Sequence, residues 1–389
     1  MCLLKLLGIG VMSKIKILIV LEATLGGTRK HVIDLLSNIN LNLFEITFCY
    51  STRRADINFF NDIEVIKYRG IRCVEISMTR EISIIKDIKS FLDIYLLIKK
   101  GQFNIVHAHS SKAGFLGRIT AKLASKNIKT IYTPHSLPIN LNKFYKYLEK
   151  MAVPFTDKII AVSDSEKKEI IASKLTSKIE KINSGVNIFQ TKSSNKIIHK
   201  EFNFDEKSLI VISVGRLTKQ KDPLTFFYAA NEYLIKYKQN FVYFIWVGDG
   251  ELRPEVSNFI NNNGLKDFCK ILGWCTNVDE LLWCADIFVL TSVYESFGYV
   301  TCEAMSHFLP IIATKVVGTT DIVINNESGF LTEIGDYKAI SNYIYSLVDD
   351  PQLRKNMGDY GNKQIKENFN VNNMVKKTEE LYSSIMKNS

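Results

Sequence analysis

DIFVLTSVYESFGYVTCEAMSHFLPIIAT, residues 286–314, is the stretch that decides how this chain folds. It opens as a run of β-branched and aromatic residues and crosses a loop that holds Glu295. At Phe297-Gly298 it turns into a segment of helical spacing, then resumes as the apolar strand PIIAT. Two apolar strands separated by a helix form a parallel βαβ unit, since antiparallel neighbours need only a short turn.

Read outward, the same alternation fills the chain. Strands are expected at KIKILIVL (14–21), FEITFCY (44–50), FNIVHAH (103–109), IKTIYT (128–133) and KIIAVS (158–163), with helical spacing at 28–39, 83–100, 112–126 and 143–152. A lysine-rich stretch, 190–206, reads as a linker. A second series then runs through SLIVISVG (208–215), FVYFIWVG (241–248), CKILGW (269–274), DIFVLTS (286–292) and PIIAT (310–314), with helices at 222–238, 251–263, 298–307 and 337–348. Near-continuous apolar strands are buried on both faces, so the expected architecture is α/β, with two doubly wound Rossmann-like domains and a cleft between them. A length of 389 residues fits two domains of about 150–200 residues each. In such sheets ligands bind beyond the carboxyl ends of the strands, which is where the chemistry is to be sought.

Seven cysteines at irregular spacing, several inside apolar runs, read as buried thiols of a reducing compartment. MCLLKLLGIGVM is far shorter than the roughly 20 residues that span a bilayer and lacks a small-residue cleavage pattern. Residues 1–11 read as an upstream-start extension or a loose tail ahead of Met12. The charge is uneven: residues 1–190 carry 29 Lys/Arg against 16 Asp/Glu, and residues 191–389 carry 21 against 24. A basic half implies an anionic partner. Nucleic acid is not expected, because no basic groove with aromatic platforms and no nucleic-acid motif is present.

Candidate chemistry clusters after strands. Glu295 precedes a helix and Glu303 lies two turns within it; carboxylates accept from two vicinal hydroxyls at once. The amides of Phe297, Gly298, Tyr299 and Val300 open that helix and suit a diphosphate, with Gly298 allowing close approach. In SVGRLTKQKDPLTFFYAA (213–230), Arg216 offers a planar fork and Lys221 a mobile charge, both suited to phosphate. Lys221 is expected to be exposed, so that its removal would spare the fold. Trp274 is placed near a nucleotide base, in the core or on a cleft wall. In the first half, Gly26-Gly27 open a helix after the first strand. The fingerprint G-x-G-x-x-G is missing there, which argues against a nicotinamide enzyme. His107 and His109 share a strand face, His109 being nearer the loop, and no carboxylate or third ligand is evident beside them to complete a metal site. His135 ends the next strand. No D-x-D occurs, and no essential metal or other cofactor is expected.

These motifs resemble the family 4, or group 1, glycosyltransferases of the two-domain GT-B type. The segment 293–323 is similar to the family's E-x7-E signature with its following P-[IV]-[IV]-A-T strand. Residues 215–222 are similar to its GR-L-x-x-x-K-[DG] clamp, 26–35 to its G-G-x-x-x-H-x-x-x-L start, and 133–135 to its T-x-H. VGDGELRPEV (247–256), LGWCTNVDELLWCADIFVLTS (272–292), AVSDSEKKEI (161–170) and INSGVNIF (182–189) resemble further family segments, so the likeness spans about residues 14–375. The resemblance implies that Glu303 holds the ribose of a nucleotide-sugar donor and Glu295 its sugar. It further implies that Arg216 and Lys221 clamp the diphosphate, and that His135 contacts the transferred sugar. Retention of anomeric configuration, an acceptor domain at 14–190 and a donor domain at 191–371 are implied too, with a last helix at about 372–387 crossing back. The acceptor is expected to be a growing, lipid-linked glycan, with UDP the expected donor nucleotide and the product a capsule or O-antigen type of polysaccharide. The basic half would then rest on the anionic inner face of the cell membrane, from the cytoplasm. KFYKYLEKMAVPF (143–155) is either part of that contact or an ordinary covering helix. The rival readings are a nucleotide-sugar 2-epimerase or hydrolase of the same fold, and a non-catalytic partner subunit of a transferase.

Overall fold

The computed structural model describes residues 14–136, 143–175, 178–192, 197–239 and 241–387. The chain divides into two compact units: one comprises Met1–Val162, Glu166–Ile182 and Val375–Ser389, the other Ser163–Ser165 and Asn183–Met374. The divisions fall at Ile182/Asn183 and Met374/Val375, against 190 and 371 from the sequence. The N-terminal 1–11 segment lies outside the described residues.

The first unit holds a seven-stranded parallel sheet: β1 (Ile15–Leu21), β2 (Phe44–Tyr50), β3 (Arg72–Glu75), β4 (Ile105–His109), β5 (Lys129–Thr133), β6 (Lys158–Ala161) and β7 (Ile179–Lys181), in the order β3-β2-β1-β4-β5-β6-β7. Strand order therefore reverses at the β1/β4 pair, whose register sets Leu21 beside His109. One face of the sheet is sealed by the helices Ile84–Gly101 and Ser111–Ala124. Their Ile94, Leu97, Ala113, Leu116 and Ala121 pack on Leu18, Val20, Val106 and Ala108. Arg118, on the second of these helices, is buried yet fully engaged. It donates to Gly114 O at 2.7 Å and to Glu149 at 2.7 Å, and it lies 3.9 Å above the Tyr132 ring. Tyr132 also donates to Glu149 at 2.9 Å. A buried ion pair of this kind is tolerated because its hydrogen bonds are all satisfied, and removing one partner would strand the other. The pair fixes the helix Lys143–Ala152 in place. That helix covers the sheet through Glu149 and Ala152 while Tyr147 and Met151 face outward.

The second unit holds six parallel strands: β8 (Leu209–Val214), β9 (Val242–Val247), β10 (Cys269–Gly273), β11 (Ile287–Leu290), β12 (Ile311–Thr314) and β13 (Gly329–Thr332), in the order β10-β9-β8-β11-β12-β13. The reversal here falls between β8 and β11. Two apolar cores, one on each face, bury Ile210, Ile212, Phe288 and Leu290 on one side and Val211, Phe244, Trp246 and Val289 on the other.

Several elements depart from the sequence expectation. The edge or near-edge strands β3, β7 and β13 are additional, as are the helices Ile57–Tyr68, Asp164–Ala172, Val278–Cys284 and Pro351–Asn368. The expected linker 190–206 contains the short helix Ile197–Glu201, whose Ile198 joins the second unit's core and whose His199 lies 3.0 Å from Ser208 O. It is packed structure because the fully buried Ile198 anchors the turn among the lysines. The helix Val371–Lys387 begins in the second unit and continues in the first, where Tyr382 packs against Phe44. The six described cysteines are free thiols, four of them buried. Among the described residues no helix is long and apolar enough to cross a membrane.

Candidate active site

In the second unit the loops after β8 and β11 meet at the point where strand order reverses, the place an open α/β sheet offers to a ligand. They are stitched together. Val293 N donates to Gln220 O at 2.8 Å, Gln220 Nε2 to Tyr294 O at 3.2 Å, and Thr291 Oγ1 to Lys221 O at 2.9 Å and Asp222 O at 2.8 Å. Lys221 and Glu295, 74 residues apart, form an ion pair across the two loops, and Ser292 donates to the same Glu295 oxygen at 2.7 Å. Lys221 is therefore not the exposed lysine the sequence suggests: its side chain is 14% exposed and that of Glu295 9%. Arg216 is exposed and makes no side-chain ion pair among the described residues, so its fork is open to an anion. Trp246, which sequence reading passed over, supports this loop by donating Nε1 to Gly215 O at 2.8 Å.

Gly298 caps the helix Tyr299–Ser306 with φ +88°, a conformation that glycine adopts without strain. Phe297 and Tyr299 are buried in the core, their rings 5.0 Å apart, so these residues offer a ligand their amides and not their side chains. Val300 is half-buried against the same core. Glu303 is the fifth residue of the helix, just over one turn in rather than two, and is half-buried. Gly318 admits the loop: a Cβ there would lie 2.9 Å from Phe297 N and 3.0 Å from Glu295 O. Trp274 follows β10 and is 68% exposed, which removes it from the core.

In the first unit the loop after β1 leads to Gly26, at φ +67°, and to Gly27 at the start of the helix Gly26–Asn38. This helix delivers a residue that sequence reading did not single out, His31, although it stands in the quoted G-G-x-x-x-H pattern. His31, His109 and His135 converge so that one nitrogen of each lies within 4.8 Å of the others. His109 Nδ1 and His135 Nε2 are 3.0 Å apart. The expectation that no third ligand adjoins His107 and His109 is corrected, because residues from a helix and from the next strand end were invisible to local spacing. His107 and His109 do share a face, their rings 4.0 Å apart. Both nitrogens of His107 are taken, by Tyr382 Oη at 2.6 Å and Thr133 Oγ1 at 2.8 Å, which makes it a structural residue. Burial drives the imidazole pKa of His31 down to about 4, that of His107 to about 3, and those of His109 and His135 well below the usual value. These rings are neutral at pH 7 and act as hydrogen-bonding groups rather than as cations. Glu22, directly after β1, is a buried carboxylate that the sequence reading missed. Burial raises its pKa against the opposing pull of Arg54, 3.6 Å away.

Two family models cover most of the chain: Glycosyl transferases group 1 matches residues 194–364 and Glycosyltransferase Family 4 matches 25–189. The chain is 34% identical over 328 residues to the UDP-Gal:alpha-D-GlcNAc-diphosphoundecaprenol alpha-1,3-galactosyltransferase of Escherichia coli, covering 80% of this chain and 83% of the relative. It is 29% identical over 339 residues to the capsular polysaccharide biosynthesis glycosyltransferase CapM of Staphylococcus aureus, covering 81% and 85%. Among solved structures it resembles Anabaena HepE in complex with UDP and glucose, with a TM-score of 0.81 at 20% identity over 95% of this chain and 100% of that one. With two Rossmann-like units, a reversal-point loop pair in each and these matches, the chain belongs to the group 1, family 4 glycosyltransferases of the GT-B fold.

Proposed function

We propose that this glycosyltransferase moves a hexosyl or N-acetylhexosaminyl group from a UDP-sugar to a hydroxyl of a growing lipid-linked glycan, with retention of anomeric configuration. The observation that carries the reading is the Lys221–Glu295 pair held at the β8/β11 reversal point beside the N-terminus of the Tyr299–Ser306 helix. A diphosphate arriving there meets the N-terminal amides of that helix, the Arg216 fork and Lys221. As Lys221 turns to the phosphate, Glu295 is released to accept from sugar hydroxyls, and Glu303 takes the ribose. His135, neutral and hydrogen-bonding, is assigned to the transferred sugar, and His109 to the acceptor side. The departing phosphate oxygen takes the proton of the attacking acceptor hydroxyl on the same face of the sugar. The reaction needs no metal, since the diphosphate charge is met by Arg216, Lys221 and amides. UDP as donor nucleotide accords with HepE, and a diphosphoundecaprenol acceptor with the E. coli relative.

Peripheral attachment to the anionic inner face of the cytoplasmic membrane accords with the helix Ile84–Gly101. Ile85, Ile88, Leu92 and Leu96 form one exposed aliphatic stripe along it, bordered by Lys86, Lys89, Lys99 and Lys100. An exposed apolar stripe with basic flanks suits an anionic leaflet, each lysine near the surface contributing about 1 kcal/mol. Incubation with a panel of nucleotide sugars and a lipid-linked acceptor, read by mass spectrometry in the presence of EDTA, tests the whole proposal. The expected result is one acceptor-dependent glycoside, with activity undiminished by the chelator. Sugar release or epimerisation without acceptor would instead assign a hydrolase or epimerase, and activity restored only by Mn2+ or Mg2+ would overturn the metal-free mechanism.

A further inference from the structure

The geometry points to a transition-metal site of the zinc type formed by His31, His109 and His135, whose occupation switches the enzyme down rather than on. One nitrogen from each ring lies within 4.8 Å of the other two. Zn2+ with Zn–N bonds of about 2.0–2.1 Å in a tetrahedral site sets its nitrogens about 3.3 Å apart. The His109 Nδ1 to His135 Nε2 separation is already 3.0 Å, so closure needs movement chiefly of the third ring. The ligands come from three separately anchored places: the Gly26–Asn38 helix, the end of β4 and the loop after β5. His109 has no exposed surface, and its other nitrogen, Nε2, has no hydrogen-bond partner among the described residues.

The donor chemistry selects the ion. Three imidazoles and no carboxylate among the three suit Zn2+, Co2+, Ni2+ or Cu2+ and are poor ligands for Mg2+ or Ca2+. Three protein ligands leave the fourth position to water or a hydroxyl. The binding itself follows from the side chains alone. Its effect rests on the function proposed above, in which His135 serves the transferred sugar: a metal that takes the His135 lone pair withdraws that group.

Metal-stripped protein is titrated with Co2+ and then with Zn2+, following the visible d–d bands. One equivalent of four-coordinate cobalt, displaced by zinc, is expected. His31→Gln and His109→Gln, checked for fold by circular dichroism, weaken the uptake by at least about tenfold. His31→Cys retains it and adds a thiolate-to-cobalt charge-transfer band, which a merely structural role for residue 31 would not produce. Absence of stoichiometric uptake, or uptake unchanged in both glutamine variants, overturns the site. In parallel, transfer should fall as Zn2+ fills the site and recover with EDTA. Uptake with undiminished transfer leaves the metal site standing and overturns both the switch and the role given to His135.

Discussion

Lys221→Ala separates the structural and chemical work of the loops after β8 and β11. Wild-type Glu295 is 9% exposed and receives Lys221 and Ser292, so deleting the lysine leaves a largely buried carboxylate with one neutral donor. Breaking a fully buried pair from one side costs about 3–5 kcal/mol, and an exposed pair is worth under about 1 kcal/mol. With partners 14% and 9% exposed, the expected loss is about 2–3 kcal/mol. At roughly 2–4 °C per kcal/mol for a domain of this size, the melting point of the second unit falls by about 5–10 °C. Turnover falls by about 10²–10³, the usual effect of deleting a charge-assisted contact made to developing charge. The double variant Lys221→Ala/Glu295→Gln removes the stranded charge, so calorimetry should show most of the stability restored while transfer stays low. A Lys221→Ala protein that melts like wild type would refute the pair as a solution interaction. Near-normal kcat in that protein would refute the phosphate clamp, and a double variant as unstable as the single would show that the loss came from packing.

Glu303→Gln should weaken UDP itself by calorimetry, about 1.5–3 kcal/mol for a lost bond to a charged acceptor, whereas Glu295→Gln should weaken UDP-sugar but spare UDP, because it also frees Lys221; equal losses in both variants would dissolve that division of labour. Gly318→Ala places a Cβ 2.9 Å from Phe297 N, so the donor loop must shift, with about 1–3 kcal/mol lost on urea unfolding and a drop in transfer. Unchanged transfer would mean that this loop is not the donor site. His31 and His107, with folded pKa values of about 4 and about 3, take up protons on unfolding below the ordinary value near 6.5. Their contribution is therefore whole above about pH 6.5 and lost as pH falls toward those values. Glu166, raised to about 8 by burial, acts in the opposite sense between about pH 4.5 and 8. The four clustered histidines outweigh it, so urea midpoints should fall from pH 7 to pH 5, and less steeply in His31→Gln. A flat profile would mean that the rings are not buried as neutral groups.

The central strands and the donor helix were legible in sequence because burial on both faces writes an uninterrupted apolar run, as at Ile17–Leu21 and Ile287–Leu290. β3 and β7 were not, since strands at the sheet margin are short and half wet: Arg72 and Glu75 lie exposed, and β7 is only Ile179–Lys181. Arg216, Lys221, Glu295 and Glu303 sat in local motifs and could be read one by one. What could not be read was their pairing. Lys221 meets Glu295 across 74 residues, and His31 meets His135 across three helices and four strands, relations that only the sheet order creates. Trp246 is core, and its support of Gly215 became visible only as a hydrogen bond.

The helix Val371–Lys387 gives the chain an unusual order of completion during synthesis. Its first residues finish the second unit, and only from Val375 onward does it supply the first, so the unit that leaves the ribosome earliest is the last to be closed. Until Tyr382 emerges, His107 lacks a hydrogen bond and Phe44 an aromatic neighbour, while the second unit already has all its strands. A premature stop after Met374 would therefore damage the half of the protein that is farthest from it in sequence.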